Sequence, residues 1–512
     1  MKVLLAGVRL GDCVGQAVLV QDDRIAWFGP LGEAPTPDHT LDLADCLLLP
    51  AFVDAHVHAT ATGLSLGGLD LHGTPSLPAA LERISAYADV HPGQLIFGTG
   101  WDETTWPERR APSLGELDRA GRGAATYLAR VDVHSAVVST ALLKRCPEVQ
   151  HLNGFDQSGH LRLDAHHVLR RAAIAAISPE QRRVAQRATR SRAAELGIAA
   201  IHEMAGPDIS GRSDLEALLH LANSEPGPQV VGYWGELGET DIVAELGLAG
   251  AAGDLFCDGA FGSHTAGLHE PYLDAPENRG ARYFTDEQVY GHLRQATAAQ
   301  IQAGFHCIGD AAIDQVARGL EAVATELGDD AVRACRHRLE HLEMPGSAAL
   351  KTFARLDAVA SVQPAFDAAW GGLGRMYETR LGAQRSNTLN PFADFAAAGM
   401  TIALGSDAPV TAIDPWAGIA AAVWHRTPTS RLTVEQAMRA AAAGGWEAAG
   451  DNRRNIGRIA VGATAHLAAW TVPAGANTPL SEVVAGVAED APPPVCEVTL
   501  ADGLLIHGAK QW

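Results

Sequence analysis

The sequence predicts an α/β chain: a (β/α)8 TIM-like barrel carrying an inserted subdomain, with a small β-domain built from both termini. Three observations predict it. Apolar, strand-like runs alternate with Ala-rich helical runs through the middle of the chain, the pattern of a parallel sheet covered by helices. The two ends carry only short strands separated by Gly and Asp turns. Histidines and acidic residues recur where the strand-like runs stop, the edge at which such a barrel carries its active site.

In order along the chain, residues 1–50 read as strands and turns (VLLAGVRL, QAVLVQDDRIAWFG, the approach to LLLP). Residues 456–512 have the same texture (HLAAWTV, VCEVTLADGLLIHG), so the ends are expected to pair. Strand candidates between them are 51–57, 95–100, 126–131, 198–202, 229–234, 253–257, 303–307, 336–340, 357–362 and 400–405. These exceed the eight places of a closed barrel by two. The surplus pair falls in 66–185, whose charged, Pro-punctuated texture reads as an insertion; the barrel is then 51–65 and 186–455. Helices are expected at 181–196, 286–302, 310–327 and 433–449.

Composition narrows the function classes. The 512 residues are 47% hydrophobic and 19% charged, as in a globular protein with a large core. Against 39 basic side chains stand 60 acidic ones, a net charge of -21, which argues against nucleic acid or an anionic membrane surface as partner. The seven Cys are scattered and never spaced CxxC, a reduced set that suggests a cytoplasmic protein. The apolar run at the N-terminus is too short for a signal peptide, and no window approaches the roughly 18 apolar residues of a membrane span.

The stretch LLLPAFVDAHVH (47–58) holds the first chemical signal. Side chains alternate along a strand, so His56 and His58 share a face. Later strand candidates end on His202-Glu203, on Asp254 and Asp258, on His306, on Glu340-His341, on Gln363, and on Ser406-Asp407. Singly each has a bland explanation as a turn former, cap or packed His. Jointly, four His and an Asp at the same edge make a divalent-metal ligand set of imidazoles and carboxylate.

Seven stretches carry a resemblance: PAFVDAHVH (50–58), GTGWDETTW (98–106), FCDGAFGSHTAGLHEPY (256–272), FHCIGDAAID (305–314), HRLEHLE (337–343), SVQP (361–364) and GSDAPV (405–410). On them the chain resembles the amidohydrolase superfamily, in particular its amidohydrolase-3 (YtcJ-like) branch of metal-dependent hydrolases. The resemblance implies a metallo-hydrolase barrel, with the terminal strands forming a composite β-sandwich (1–50 and 456–512). It implies His56, His58, His306 and His341 as ligands of a divalent metal, Zn2+ first among the candidates. Asp407 would touch the metal and shuttle a proton. The implied reaction is hydrolysis of a non-peptide carbon–nitrogen bond (amide, N-formyl or cyclic amide) in a small molecule. An esterase or deaminase on the same centre, or a non-catalytic binding barrel, is the alternative. Such barrels commonly form homodimers, and no feature of the sequence demonstrates one.

Two positions depart from the family pattern. Many relatives carry a carboxylated lysine four residues before the Asp-Gly at 258–259, where this chain has Asp254. None of Lys2, Lys144, Lys351 and Lys510 can replace it. Either Asp254 is a shorter bridge between two ions, or the site holds one, and the sequence leans towards one. The second departure is Asp132-Val133-His134, where relatives often read Asp-Gly-His. Trp101 (as an apolar wall), Asp102, His134, His264 and Gln363 are expected around the substrate. Glu203, Asp310 and Glu340 are candidates to orient ligand imidazoles. Substrate choice is assigned to the insertion and to a loop at 365–390 with Trp370, Arg375, Tyr377, Arg380 and Arg385.

Overall fold

A computed structural model describes every residue except 452, 454, 476 and 509–512, so the last four of the range 456–512 lie outside it. Eight parallel strands follow one another round the barrel: β1 (Phe52–Val57), β2 (Ile198–Ala205), β3 (Gln229–Trp234), β4 (Gly250–Ala251), β5 (Gln302–Cys307), β6 (Arg338–His341), β7 (Val359–Val362) and β8 (Thr401–Leu404). The ladder is continuous from β1 through β8, and a parallel bridge from Val57 to Ala408 joins its two ends. Every residue of β1, β2, β5, β6 and β7 is buried. That is the near-continuous apolar pattern of strands covered on both faces.

The strand candidates at 95–100 and 126–131 leave the barrel. They pair as Ile96–Trp101 and Thr126–Arg130 in a separate five-stranded sheet between β1 and β2. The candidate at 253–257 is corrected. The strand is the two residues of β4, and beyond Gly253 (φ 101) the chain keeps only a bridge from Phe256 to His306. Asp258 explains the turn away from the sheet. Its carboxylate accepts from the backbone N–H groups of Gly267, Ile308 and Gly309 at 2.8, 3.0 and 2.8 Å.

Most expected helices appear, with three changes. The helix ahead of β5 stops at Ala298, because Gln302 already belongs to the strand. The one at 433–449 divides into Val434–Ala441 and Ala443–Ala448 at Ala442 (φ -120, ψ -86). Residues 365–390 form the short helices Pro364–Trp370, Met376–Leu381 and Ala383–Ser386 in place of a loop. The helix Pro179–Glu195 also runs unbroken across residue 185, where the sequence ends the insertion. Its Ser178 caps the Gln181 N–H at the start, and its inner face feeds directly into β2.

Strands from both termini share one sheet. Within Leu47–Pro50, Leu48 joins the terminal core while Leu47 and Leu49 join the barrel core, so alternation places one strand between two cores. Trp470 closes that interface, its ring 5.5 Å from Phe52 and 5.4 Å from Trp416.

The helix Ala59–Gly67, which starts directly after His58, lies against Pro179–Glu195 with its Gly63 facing Ala185. A Cβ at Gly63 would stand 1.9 Å from the Ala185 carbonyl oxygen. Alanine is the better helix former by about 0.5–1 kcal/mol. Forcing the two backbones apart costs about 1–3 kcal/mol, and that term wins. Gly63→Ala is therefore expected to lower the thermal midpoint; an unchanged or raised midpoint would contradict this packing.

Candidate metal centre

The residues the sequence singles out converge at the C-terminal mouth of the barrel. His56 comes from β1 and His58 from just past its end; Asp254 follows β4, His306 lies in β5, His341 ends β6, and Asp407 follows β8. All six are buried. The Asp254 carboxylate is the common point. Its Oδ1 lies 3.5 Å from His56 Nε2, 3.5 Å from His306 Nδ1 and 3.4 Å from His341 Nε2, and its Oδ2 lies 3.0 Å from His58 Nε2. Asp407 Oδ1 lies 3.3 Å from His56 Nε2 and 3.1 Å from His58 Nε2. The donors fall into two overlapping groups, His56–His58–Asp254–Asp407 and Asp254–His306–His341, each compact enough to surround an ion.

Hydrogen bonds behind the rings fix which nitrogens face inward. His56 Nδ1 donates to Glu340 Oε2 at 2.8 Å, His341 Nδ1 to Gln363 Oε1 at 2.8 Å, and His306 Nε2 to the Gly259 carbonyl at 3.4 Å. All three partners are acceptors. The opposite nitrogens, His56 Nε2, His341 Nε2 and His306 Nδ1, then present lone pairs to carboxylate oxygens. Of the inward atoms, His56 Nε2, His306 Nδ1, Asp254 Oδ1 and Asp407 Oδ1 are buried without a hydrogen-bond partner. Acceptors aimed at acceptors in a dry site call for a cation, and this nitrogen–oxygen set suits a divalent metal. Burial disfavours the charged rings, yet Asp254 and Asp407 push His58 up to about 9 and His56 well above its ordinary value. Burial likewise opposes the charge on Asp407, but His56 and His58 hold its carboxyl well below the ordinary range.

The backbone under these ligands is specific. Asp54 accepts from Ser406 N at 2.8 Å and Ser406 Oγ at 2.6 Å, and Asp407 N donates to the His56 carbonyl at 2.8 Å. These bonds lock β1 to the segment after β8. His341 (φ 70) and Asp407 (φ 52) sit in the left-handed region, a strained conformation for residues other than glycine that concentrates at functional sites.

The other expected residues divide. His134 stands with its ring 5.1 Å from that of His306, and burial pushes it down to about 3, so it is neutral. It shares a narrow cleft with His341, Asp407, Phe366 and Trp370. Asp102 lines an outer vestibule of about 590 Å3 that shares Trp370 with that cleft and carries Arg109, Arg375 and Arg380. Trp101 is corrected. It is 0% exposed within the insertion core, its Nε1 donating to the Leu128 carbonyl at 2.9 Å, so it walls no cleft. His264 pairs with Asp274 at 3.0 Å along a separate cleft with Arg162 and Asn278, away from the six-residue cluster. Gln363 acts behind His341, as its bond shows. Among the candidate orienting groups, Glu340 holds His56 and Glu203 accepts from Ala59 N at 2.7 Å, while Asp310 accepts from His269 N at 2.9 Å and touches no ligand. Tyr377 donates to Glu343, and Arg385 donates to the Pro271 carbonyl, so these two brace the 365–390 segment.

Two features were not anticipated. Arg338 is 0% exposed inside the barrel, behind Glu340; the Arg of HRLEHLE reads as an ordinary strand residue until its partners are seen. A cavity of about 380 Å3 opens beside Asp254, walled by Phe256, Tyr283, His167, Leu163 and Ile209. It lies over the ends of β2, β3 and β4, under the insertion helix Leu163–Ala175.

Comparison with known proteins agrees with this architecture. The chain matches the amidohydrolase family over residues 39–505. It is 26% identical over 448 residues to the putative amidohydrolase YtcJ of Bacillus subtilis (80% of each chain). It is 24% identical over 483 residues to the N-substituted formamide deformylase of Arthrobacter pascens (86% of this chain, 87% of that one). It is also 26% identical over 439 residues to the protein LONG AFTER FAR-RED 3 of Arabidopsis thaliana (78% and 73%). An uncharacterized metal-dependent hydrolase from Pyrococcus furiosus shares the fold with a TM-score of 0.70 at 22% identity, covering 92% of this chain and 98% of its own. With the match running from residue 39 through the insertion and the barrel to residue 505, the chain belongs to the amidohydrolase family, hydrolases acting on carbon–nitrogen bonds.

Proposed function

We propose that the protein hydrolyses a non-peptide carbon–nitrogen bond of a small molecule, an amide, N-formyl or cyclic amide, at a centre of two divalent ions that share Asp254. The single observation carrying the reading is the convergence of inward lone pairs on one carboxylate, which belongs to both donor groups. A shared carboxylate is what a two-ion site needs where the lysine is missing, so the geometry favours two ions over the single ion to which the sequence leans. Zinc suits the imidazole and carboxylate donors. The relative named N-substituted formamide deformylase favours the N-formyl member of the substrate class.

In this reading His56, His58, Asp254 and Asp407 would hold one ion, and Asp254, His306 and His341 would hold the other. Bound there, a divalent ion supplies Lewis acidity, making water acidic near neutral pH and polarising a carbonyl. The rest is the chain's own work. Asp407, kept ionised, takes the proton of the attacking water and passes it to the departing nitrogen, base and then acid. Neutral His134 offers a hydrogen bond to the carbonyl oxygen as charge develops on it. The cavity beside Asp254 receives an apolar or aromatic substituent against Phe256 and Tyr283. All seven cysteines are free, in keeping with the reducing cytoplasm to which we assign the protein.

Elemental analysis of protein purified without added metal is expected to give about two ions per chain, and Asp254→Ala about one or none. One ion in the parent chain, unchanged by Asp254→Ala, would place Asp254 outside the bridge, and no metal even after reconstitution would favour the non-catalytic barrel. Asp407→Asn should keep most of the metal yet lower kcat on an N-substituted formamide by about 10²–10⁴-fold. Full turnover in that variant would end the shuttle role. Metal uptake at pH 8 should release protons, because Asp254 and Asp407 push His58 up to about 9. Calorimetry in buffers of different ionisation enthalpy measures that release, and none would mean the ligands were already free of protons.

A further inference from the structure

Arg338 is held on every side. Its Nε donates to Glu340 Oε1 at 2.6 Å, and its Nη2 to Glu340 Oε2 at 3.2 Å, the Ala55 carbonyl at 2.8 Å and Ser361 Oγ at 2.9 Å. Its Nη1 bonds His202 Nδ1 at 3.0 Å, and its charge lies 4.4 Å from the Tyr233 ring centre. One guanidinium thus reaches β1, β2, β3, β6 and β7. Both Arg338 and Glu340 are 0% exposed.

Glu340 therefore has its oxygens assigned. Oε1 accepts the shorter bond from Arg338 Nε at 2.6 Å, while Oε2 receives the proton of His56 Nδ1 at 2.8 Å and a longer bond from Arg338 Nη2 at 3.2 Å. A carboxylate can satisfy both because each oxygen accepts. A carboxamide cannot, because one of its two ends is an NH2 donor.

We propose that Arg338 is a positioning residue: acting through Glu340, it fixes His56 in the tautomer whose Nε2 lone pair points to the metal. This rests on the reading of His56 as a ligand. The geometry makes an unusual forecast for Glu340→Gln. With Arg338 present, its Nε bond to Oε1 at 2.6 Å outweighs the Nη2 bond to Oε2 at 3.2 Å and draws the new amide oxygen to the Oε1 position, so the NH2 is turned to His56 Nδ1. That nitrogen must then accept, the ring proton moves to Nε2, and a hydrogen replaces the lone pair that faces the ion. Removing Arg338 as well frees the amide to turn over and offer its oxygen to His56. The double variant should then bind metal better than the single one, the reverse of what two ordinary losses of support would give. It also leaves no buried charge without its partner.

The test is Co2+ affinity by competition with a chromophoric chelator, and the visible bands of the cobalt-loaded protein, for the full chain. The variants are Glu340→Gln, Arg338→Met/Glu340→Gln and Arg338→Gln/Glu340→Gln, the last covering the case in which the methionine variant does not fold. Circular dichroism of each metal-free form reports the fold. Glu340→Gln is expected to bind at least 10–100-fold more weakly than the parent, the range for lost support of a ligand His. At least about tenfold should return in a folded double variant, together with the parent's cobalt bands. Equal or weaker binding in the double variants would overturn the inference and leave Arg338 a core residue only. So would parental affinity in Glu340→Gln. If the parent chain itself takes up no Co2+, the ligand assignment fails first, which separates the two ideas.

Discussion

The structure turns on imidazole nitrogens and carboxylate oxygens that the barrel forces to face one another. His56, His306 and His341 each spend one ring nitrogen on an acceptor behind them, so the other nitrogen faces the Asp254 carboxylate. In water such an arrangement would relax; here the groups are buried and the barrel holds them in place. A divalent ion removes the conflict, and it would contribute binding energy to the fold that carries it. The cost of assembling these acceptors is met by bonds that have nothing to do with the ion. Asp54 pins Ser406, Asp258 pins three backbone N–H groups, and Arg338 pins Glu340.

The candidate ligands come from five points round a barrel whose fourth strand is only two residues long. A short β4 lets the chain leave the sheet directly after Ala251, so Asp254 can swing towards the barrel axis within three residues. A carboxylated lysine approaches such a centre on a long side chain. Aspartate is short, and backbone placement has to supply the missing reach.

Much of this was legible in the sequence, because it depends on local rules. Alternation puts His56 and His58 on one face, and strand ends mark His306, His341 and Asp407. The two surplus strands could be given to the insertion on texture alone. What was not legible depends on which distant strands become neighbours. Arg338 has partners from β1, β2, β6 and β7, and nothing beside it in sequence announces them except Glu340. Trp101 was misread for a related reason. Its motif neighbour Asp102 does line the vestibule, but strand alternation turns the indole into the insertion core. Gln363 shows the same limit: its position at a strand end was plain, but not that His341 lies at its amide oxygen.

Substrate discrimination follows from how the mouth is covered. The candidate metal ligands come from the barrel, but the walls of the spaces beside them come from elsewhere. His167 and Leu163 belong to the insertion, Phe256 and Tyr283 to the segment after β4, and Trp370 to the short helices after β7. Arg130 fastens the insertion through Asp132, which also accepts from Ser263 at 2.7 Å in the segment after β4. The covering parts are therefore tied to one another as well as to the barrel. Changes in those segments can alter what fits beside Asp254 without moving the imidazoles, because His56, His341 and His306 are held from below by Glu340, Gln363 and the Gly259 carbonyl. A rigid centre under a replaceable cover is how one barrel chemistry can serve many substrates.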